Sequence, residues 1–202
     1  RADEKSFVYI EKGNYKGYEI KGKRLGVIGL GAIGMMVANA GNALGMEVSG
    51  YDPFISVNRA WELSSDVKPA SSLEKMLKTC DFISVHVPYT PETKGFLNET
   101  KIGFIKEGAV LLNFSRDALV DEDALKTALE SGQVSRYVTD FPNQHWAGND
   151  TVINIPHLGA STAEAEDNCA IMVANQVKDY LTKGNITNSV NFPNCELETG
   201  AD

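Results

Sequence analysis

The sequence lacks the marks of several large protein classes. Its three cysteines, Cys80, Cys169 and Cys195, lie far apart and include no C-x-x-C pair, so they indicate neither a disulfide framework nor a zinc site. We therefore expect no metal site and a reducing compartment, the cytoplasm. Internal repeats and low-complexity segments are also missing. The composition, 43% hydrophobic and 23% charged, is ordinary for a globular protein.

Positive charge is scarce as well. The 202 residues include 19 Lys and Arg but 27 Asp and Glu, a formal net charge of -8, and no basic stripe interrupts that excess. Proteins that bind nucleic acid need such a stripe, so we expect no nucleic-acid partner. The apolar stretch over residues 25–48 contains several glycines as well as Asn39 and Asn42, which argues against a membrane span.

What the sequence does contain is an alternation of short apolar runs and helical patterns. The predicted strands are 25–29, 47–51, 82–87, 109–114, 137–140 and 151–155. The predicted helices are 33–44, 72–78, 98–105, 121–131 and about 163–183. Nearly continuous apolar strands are typical of a parallel sheet covered on both faces. The alternation therefore predicts a doubly wound α/β fold with right-handed crossovers.

Helical periodicity predicts faces and ends for the first and last helices. The predicted apolar face of the first helix is Ile33, Val37, Ala40 and Leu44. The predicted apolar stripe of the last is Ile171, Ala174, Val177 and Leu181. Ser161 and Glu164 are spaced as a capping box, and Gly184 can end the last helix in a left-handed conformation. The tail contains one further candidate strand, residues 187–191.

A glycine-rich turn joins the first strand to the first helix. Its G-x-G-x-x-G spacing lets Gly29 make a tight turn, Gly31 admit a pyrophosphate and Gly34 pack the helix on the strand. The helix N-terminus then offers N–H groups to the phosphates. Asp52 ends the second strand, 18 residues beyond Gly34, where a carboxylate binds ribose hydroxyls and repels a 2′-phosphate. The pattern predicts an NAD site.

Polar residues follow several other predicted strands, at the edge where open α/β sheets bind ligands. They are His86, Pro88, Asn113, Ser115, Arg116, Asp140, His157 and Gly159. A guanidinium suits a carboxylate substrate and an imidazole suits proton transfer, which favours Arg116 and His157 for those tasks. Structural interpretations stay open: Arg116 could pair with Asp117 or Asp121, Asp140 could cap a turn, and either histidine could be an ordinary loop residue.

Motifs in a fixed order resemble those of the D-isomer-specific 2-hydroxyacid dehydrogenases. They are LGVIGLGAIG (25–34), YDPFIS (51–56), HVPYTPETKG (86–95), LLNFSRDALVDEDAL (111–125) and IPHLGASTAEAE (155–166). Together they spread across most of residues 20–190. Two further strings are similar to a shorter bacterial type of the members that oxidise D-3-phosphoglycerate, namely YVTDFPN (137–143) and NITNSVNFPNCE (185–196).

This resemblance implies an oxidoreductase that uses NAD to convert a small phosphorylated 2-hydroxy acid, D-3-phosphoglycerate, into 3-phosphohydroxypyruvate, the first step of serine synthesis. It implies that Arg116 holds the substrate carboxylate, His157 acts as general acid/base and Asp140 holds the nicotinamide carboxamide. The cofactor contacts expected by position are Gly29, Gly31, Ala32, Ile33, Gly34, Tyr51, Asp52, Pro53, His86, Val87, Pro88, Thr93, Asn113, Phe114, Ser115, Arg116, Asp140, His157 and Gly159.

Two positions depart from the family pattern. The glutamate that supports the catalytic histidine in the family corresponds here to Gln144, followed by His145. A neutral amide can orient an imidazole but adds no charge, so reduced activity, a shifted pH optimum or a displaced alignment stay open. Glycine commonly follows the arginine in the family, whereas Asp117 follows it here and could partly neutralise Arg116.

The resemblance also implies a domain organisation. Residues 1–22 would be a linker from a separate substrate domain, 23–184 the dinucleotide-binding domain and 185–202 a C-terminal linker or tail. Because that substrate domain lies largely outside this chain, we expect the chain alone to bind NAD but to oxidise phosphoglycerate poorly. The family further favours a homodimer formed through this domain.

Two other functions stay open at this point. One is oxidoreduction of another 2-hydroxy acid, such as the product of glyoxylate or hydroxypyruvate reduction. The other is a non-catalytic NAD-binding interaction module, similar to the transcriptional corepressors of the family. Arg116 and His157 disfavour the module, whereas Gln144 keeps it open.

Overall fold

The computed structural model describes residues 17–197. Most of the predicted N-terminal arm, residues 1–16, and the end of the predicted tail, residues 198–202, lie outside the described residues. The chain divides into two compact units, Arg1–Pro156 and His157–Asp202. No helix in the described part of the chain has the length and apolarity needed to cross a bilayer.

The first unit is built on a seven-stranded sheet whose strands all pair in parallel. The strands are β1 Arg24–Ile28, β2 Glu47–Tyr51, β3 Lys68–Pro69, β4 Phe82–Val85, β5 Ala109–Asn113, β6 Val134–Thr139 and β7 Val152–Asn154. Their order is β3-β2-β1-β4-β5-β6-β7. This order confirms the doubly wound α/β prediction and reverses between β1 and β4, where such sheets open a ligand crevice.

Helices connect these strands. They are α1 Ala32–Ala43, α2 Val57–Glu62, α3 Leu73–Thr79, α4 Glu99–Gly103 and α5 Glu122–Glu130, with short 3-10 turns at Asp117–Leu119 and Gln144–Trp146. The side chain at the N-cap accepts a backbone N–H in α2 to α5; these caps are Ser56, Ser72, Asn98 and Asp121. By contrast, the N-cap of α1 is Gly31, which has no side chain to accept a backbone N–H. Its first N–H groups therefore remain available for a ligand.

Buried apolar side chains cover both faces of the sheet. Leu25 and Val27 of β1 belong to one cluster and Ile28 belongs to the other. This division follows from the strand, in which successive side chains point to opposite faces. The two clusters fix the strand ends, and with them the loops at the carboxyl edge.

The predicted buried face of α1 is wrong. Ile33 and Leu44 are 63% and 61% exposed and Ala40 is also exposed, while Val37 is half-buried. The buried residues of α1 are Gly34, Met35, Ala38 and Gly41. Small residues let this helix lie close to the sheet, so the side that packs is not the side with the most apolar periodicity.

Two elements were not predicted from the sequence, α2 and β3. β3 is an edge strand of two residues, Lys68 and Pro69, and is too short to produce an alternation pattern. The candidate strand over residues 187–191 is wrong, because none of these residues is in a strand; an isolated antiparallel bridge joins Ile186 and Cys195, on either side of them. In the tail, these two residues exchange both backbone hydrogen bonds.

The second unit contains the last helix, α6, which spans Ala163–Lys183 and ends at Gly184 with φ of 76°, as predicted. The predicted capping box is wrong: the N-cap is Thr162, whose side chain accepts the Ala165 N–H at 3.1 Å, because the helix begins one residue later than Ser161 would require. The predicted apolar stripe, Ile171, Ala174, Val177 and Leu181, is exposed to solvent.

Candidate functional site

The glycine turn, residues 28–34, carries the chain from β1 into α1. Gly29 has φ of +86°, and its N–H donates to the Tyr51 carbonyl at 2.9 Å. A Cβ on Gly29 would lie 2.8 Å from the His86 carbonyl carbon and oxygen, and a Cβ on Gly34 only 1.9 Å from the Gly29 oxygen. Glycine is therefore required at both positions, at the first for conformation as well as space.

Gly31 lies between them and has a different environment. Among the described residues other than its own chain neighbours and the nearby helix backbone, none has a heavy atom within 4 Å of the position that its Cβ would take. The next residues, Ala32 and Ile33, form the exposed first turn of α1. The turn thus presents unobstructed backbone and the positive end of a 12-residue helix, which is a site for an anion.

Asp52 stands at the end of β2, half-buried beside this turn. One carboxylate oxygen accepts the Leu30 N–H at 2.8 Å, and the other accepts the Phe54 N–H at 2.9 Å. A carboxylate offers about four lone-pair sites, so each oxygen keeps capacity for a further donor. Asp52 therefore holds the glycine turn onto β2 and can still accept hydroxyl groups.

A cleft of about 540 Å³ opens between the glycine turn and the loop after β4. Its predicted members are Gly29, Gly31, Tyr51, Asp52, Pro53, His86, Val87, Pro88 and Thr93. The sequence analysis missed the others, which are Ile28, Phe54, Leu73, Thr90, Glu92, Phe96 and Lys101. Ile28, Phe54, Thr90 and Glu92 lie within the motifs quoted above. Leu73, Phe96 and Lys101 lie outside them and reach the cleft only through the topology. The volume lies in the range of small-molecule and cofactor sites.

The loop after β4 forms one wall of this cleft. The His86 N–H donates to the Ile28 carbonyl at 2.7 Å, and Nε2 lies 2.8 Å from the Ser84 hydroxyl. Burial lowers the pKa of His86, so its ring is neutral at neutral pH. Further along, the Thr93 hydroxyl donates to the Pro88 carbonyl at 2.7 Å and closes the loop.

The arginine turn, residues 113–116, follows β5. Asn113 is fully buried; its amide nitrogen donates to the Arg116 carbonyl at 2.8 Å and to the Tyr137 hydroxyl at 3.2 Å, and its oxygen accepts the Ser115 N–H at 3.1 Å. Burial raises the pKa of Tyr137, which keeps this hydroxyl protonated. The Ser115 hydroxyl donates to the carbonyl of cleft residue Val87 at 2.8 Å. Asn113 therefore shapes the turn, and Ser115 ties it to the cleft.

Arg116 is exposed, and its Nη1 donates to the Ser115 carbonyl at 2.6 Å. Within residues 17–197, no ion pair joins it to Asp117 or Asp121. These carboxylates accept backbone N–H groups instead, from Ala118 and from Ala124. The guanidinium therefore keeps donors for a carboxylate. Phe114, in the same turn, is 38% exposed.

The end of β6 supplies Asp140, which is 7% exposed, and then the Gln144–Trp146 turn. Gln144 is exposed. Glu122 of α5, which the sequence analysis missed, is a carboxylate that contacts this turn. Glu122 accepts the Asn143 amide at 2.6 Å and lies 4.0 Å from His145 Nδ1.

His157 and Gly159 belong to the second unit, and both are exposed. His157 is the first residue of that unit and follows Pro156, three residues after the end of β7.

Comparison with known proteins places this geometry in a family. Residues 2–159 match the family described as D-isomer specific 2-hydroxyacid dehydrogenase, NAD binding domain. D-3-phosphoglycerate dehydrogenase of Methanocaldococcus jannaschii is 38% identical over 194 residues, 93% of this chain and 37% of that protein. The enzyme of the same name from Haemophilus influenzae is 38% identical over 89% of this chain and 45% of that protein. The chain thus spans less than half the length of these relatives.

Solved structures agree with this placement. A glyoxylate reductase from Paecilomyes thermophila superposes with a TM-score of 0.76 at 29% identity and covers 87% of this chain and 54% of its own. A D-lactate dehydrogenase from Aquifex aeolicus, complexed with NAD and lactic acid, gives 0.73 at 30% identity over 92% of this chain and 62% of its own. With its glycine turn, Asp52 and cleft, the chain belongs to the D-isomer specific 2-hydroxyacid dehydrogenases, as their NAD binding domain.

Proposed function

We propose that this chain is the cofactor-binding part of a dehydrogenase that oxidises D-3-phosphoglycerate to 3-phosphohydroxypyruvate with NAD, the first step of serine synthesis. The observation that carries the proposal is the exposed guanidinium of Arg116, which forms no ion pair within residues 17–197 and belongs to a turn tied to the cleft. Relatives named D-3-phosphoglycerate dehydrogenase, 38% identical over most of the chain, support the choice of substrate.

The residues around the cleft fit NAD. The backbone of Gly31, Ala32 and Ile33 would receive the pyrophosphate, since the space beside Gly31 is open among the described residues and the helix end is positive. Asp52 would accept the adenosine ribose hydroxyls with its remaining lone pairs, and its charge would repel a 2′-phosphate. Bound NAD would supply the hydride acceptor, which no amino-acid side chain provides.

The remaining chemistry falls to the polar residues. Arg116 would bind the substrate carboxylate through paired N–H donors. His157 would take the hydroxyl proton on a ring nitrogen as the carbon–oxygen double bond forms and the hydride leaves that carbon. Asp140 would accept the nicotinamide carboxamide. Gln144 stands in place of the family's glutamate, and its neutral amide can orient an imidazole but adds no charge.

The test is substrate comparison in a protein that joins this chain to a substrate domain. We expect kcat/KM for 3-phosphohydroxypyruvate reduction to exceed that for glyoxylate, hydroxypyruvate and pyruvate. Arg116→Lys should lower kcat/KM for 3-phosphohydroxypyruvate sharply, because lysine cannot form the paired contact with a carboxylate. The matched control is Arg136→Lys on the exposed side of β6, which should have no effect. Equal kcat/KM for all four acids would contradict the proposed substrate.

A second candidate is oxidoreduction of an unphosphorylated 2-hydroxy acid. It is favoured by the likeness to a glyoxylate reductase and a D-lactate dehydrogenase at 29% and 30% identity. The same comparison of acids decides between the two. A non-catalytic NAD-binding module would be favoured if no acid is reduced and Gln144→Glu restores no activity.

We also propose that the protein is a cytoplasmic homodimer that associates through this domain. Cys80, Cys169 and Cys195 are all free, as suits a reducing compartment. Large apolar side chains are exposed on α1 and α2, including Met36 at 59% and Trp61 at 84%. Light scattering should show a dimer that Trp61→Glu weakens; a monomeric wild type would contradict the proposal. Cell fractionation tests the compartment.

A further inference from the structure

A serine hydroxyl joins the arginine turn to the wall of the NAD cleft. The Ser115 hydroxyl donates to the Val87 carbonyl at 2.8 Å, and the two residues are 28 positions apart in the sequence. Val87 follows β4 and Ser115 follows β5, so this hydrogen bond connects the carboxyl ends of two neighbouring parallel strands. Both residues are half-buried, where a hydrogen bond is stronger than in water.

On the cleft side, the backbone that carries the Val87 carbonyl packs against the glycine turn. The His86 N–H donates to the Ile28 carbonyl at 2.7 Å. A Cβ on Gly29 would lie 3.0 Å from the Val87 nitrogen, so the two chain segments are in close contact. The Val87 carbonyl is therefore fixed relative to the glycine turn, where the pyrophosphate would bind.

On the other side, Ser115 contacts both ends of the arginine turn. Its N–H donates to the Asn113 side-chain oxygen at 3.1 Å, and its carbonyl accepts a hydrogen bond from Arg116 Nη1 at 2.6 Å. A guanidinium has five N–H donors, so four remain for a substrate. The Arg116 side chain is thus held against the backbone of the residue whose hydroxyl reaches the cleft.

The relative position of the cleft and the guanidinium matters for hydride transfer. In the proposed function the cleft holds NAD and Arg116 holds the carboxylate of the acid, and the reacting atoms must approach to about 3–3.5 Å. A misplacement of about 1 Å can lower the rate roughly a hundredfold. The hydrogen bond between Ser115 and Val87 links the two ligand sites and restrains their relative position.

We propose that Ser115 is a positioning residue for this reaction: its hydroxyl holds the arginine turn, and with it the guanidinium of Arg116, at a fixed position relative to the NAD cleft. The inference rests on the proposed function, because it takes Arg116 as the ligand of the carboxylate. Ser115 acts through Val87 and Arg116 and takes part in no proton or hydride transfer. Its loss should therefore affect the geometry of the bound reactants more than their binding.

The experiment is steady-state reduction of 3-phosphohydroxypyruvate by the protein that joins this chain to a substrate domain. We expect Ser115→Ala to lower kcat about tenfold and to change KM by less than about threefold, because the guanidinium keeps its charge and its donors. Ser115→Thr keeps a hydroxyl and should recover most of kcat. Arg116→Lys should instead raise KM, because it weakens binding of the carboxylate.

Two measurements on the chain itself do not depend on activity. Calorimetry should show an unchanged NAD affinity in Ser115→Ala, and hydrogen exchange should show the amide at position 115 exchanging several times faster, because the turn opens more often. The variant should still fold, because backbone hydrogen bonds farther along also pair the two segments. The Gly95 N–H donates to the Ala118 carbonyl at 2.8 Å, and the Leu97 N–H donates to the Leu119 carbonyl at 2.9 Å.

Ser135→Ala is the matched control. The Ser135 hydroxyl also donates to a backbone carbonyl distant in sequence, that of Gly108 at 2.8 Å, and Ser135 is half-buried as well. It lies near the start of β6, and Gly108 precedes β5, so this hydrogen bond is at the amino edge of the sheet. Ser135→Ala should therefore keep the wild-type kcat and KM.

The inference is overturned if Ser115→Ala keeps the wild-type kcat, if Ser135→Ala loses as much, or if Ser115→Thr recovers none of the loss. It is also overturned if NAD affinity falls along with kcat, or if exchange at position 115 is unchanged. A wild type that reduces no acid would contradict the proposed function, and this inference with it. An active wild type with an equally active Ser115→Ala would overturn the inference alone.

Discussion

The glycine turn and the arginine turn lie at the same carboxyl edge of the sheet but hold their shapes by different means. The glycine turn requires residues without a Cβ, because a Cβ on Gly34 would lie 1.9 Å from the Gly29 oxygen. The arginine turn depends on a buried amide, since Asn113 bonds to both the Arg116 carbonyl and the Ser115 N–H. Substitutions in the glycine turn should therefore destabilise it through steric clashes, and substitutions in the arginine turn should destabilise it through loss of hydrogen bonds.

The largest effect is expected for Gly34→Ala. Its methyl group must displace backbone, which cannot move as a side chain can, so we expect the free energy of unfolding to fall by about 3 kcal/mol. NAD binding should be lost with it. Chemical denaturation and calorimetry measure the two quantities.

Gly31→Ala is the matched control for that variant. Its φ of −67° suits alanine and the space around it is open, so unfolding should change by less than about 0.5 kcal/mol. NAD should still bind more weakly, because the methyl group stands where the pyrophosphate approaches the backbone. Equal destabilisation by the two alanines would contradict the steric account of the glycine turn.

An intermediate effect is expected for Asn113→Ala. It leaves the Arg116 carbonyl and the Ser115 N–H without their partner, at a cost of about 2 kcal/mol in unfolding free energy. NAD affinity should fall less than in Gly34→Ala. Asn58→Ala, at an exposed position of α2, is the control and should leave stability unchanged. An unchanged free energy of unfolding in Asn113→Ala would show that the buried amide does not stabilise the arginine turn.

A smaller effect is expected for Tyr137→Phe, which keeps the buried ring and deletes only the hydroxyl that Asn113 contacts at 3.2 Å. The loss should be about 1 kcal/mol. Because both residues share one hydrogen bond, the double variant should be less destabilised than the sum of the single changes. Strict additivity would show that the contact contributes nothing.

The smallest effect concerns pH. Burial lowers the pKa of His86 in the folded chain, so below the ordinary value of 6.5 the unfolded chain binds the additional proton. Stability should therefore rise with pH through the window just below 6.5 and level off above it. His86→Gln should flatten that rise in denaturation curves measured across the window. An identical slope in both proteins would show that His86 does not contribute.

Sequence reasoning succeeded where a local pattern has one structural solution. The glycine spacing predicts the turn, the apolar runs predict the central strands and Gly184 predicts the end of α6, each from a few neighbouring residues. The structure agrees with these predictions. It failed at α1, because Gly34, Ala38 and Gly41 bury their side of the helix by being small. Hydropathy periodicity detects large apolar side chains and cannot detect that kind of packing.

The site shows the same division. Asp52 could be predicted from its separation in sequence from the glycine turn. Lys101 and Leu73 belong to separate helices, and no shared motif predicts that both line the cleft. Asn113 could be placed at a strand end, but its contact with the Tyr137 hydroxyl depends on β6 lying alongside β5. Such contacts follow from the assembled sheet and have no local signal in the sequence.

One measurement tests the central claim most directly: calorimetry of NAD and NADP against the purified chain. The account predicts that NAD binds and that NADP binds more weakly, because the charge of Asp52 opposes a 2′-phosphate. Asp52→Asn should narrow that difference. A chain that ignores both dinucleotides, or binds them equally, would contradict the assignment of the cleft.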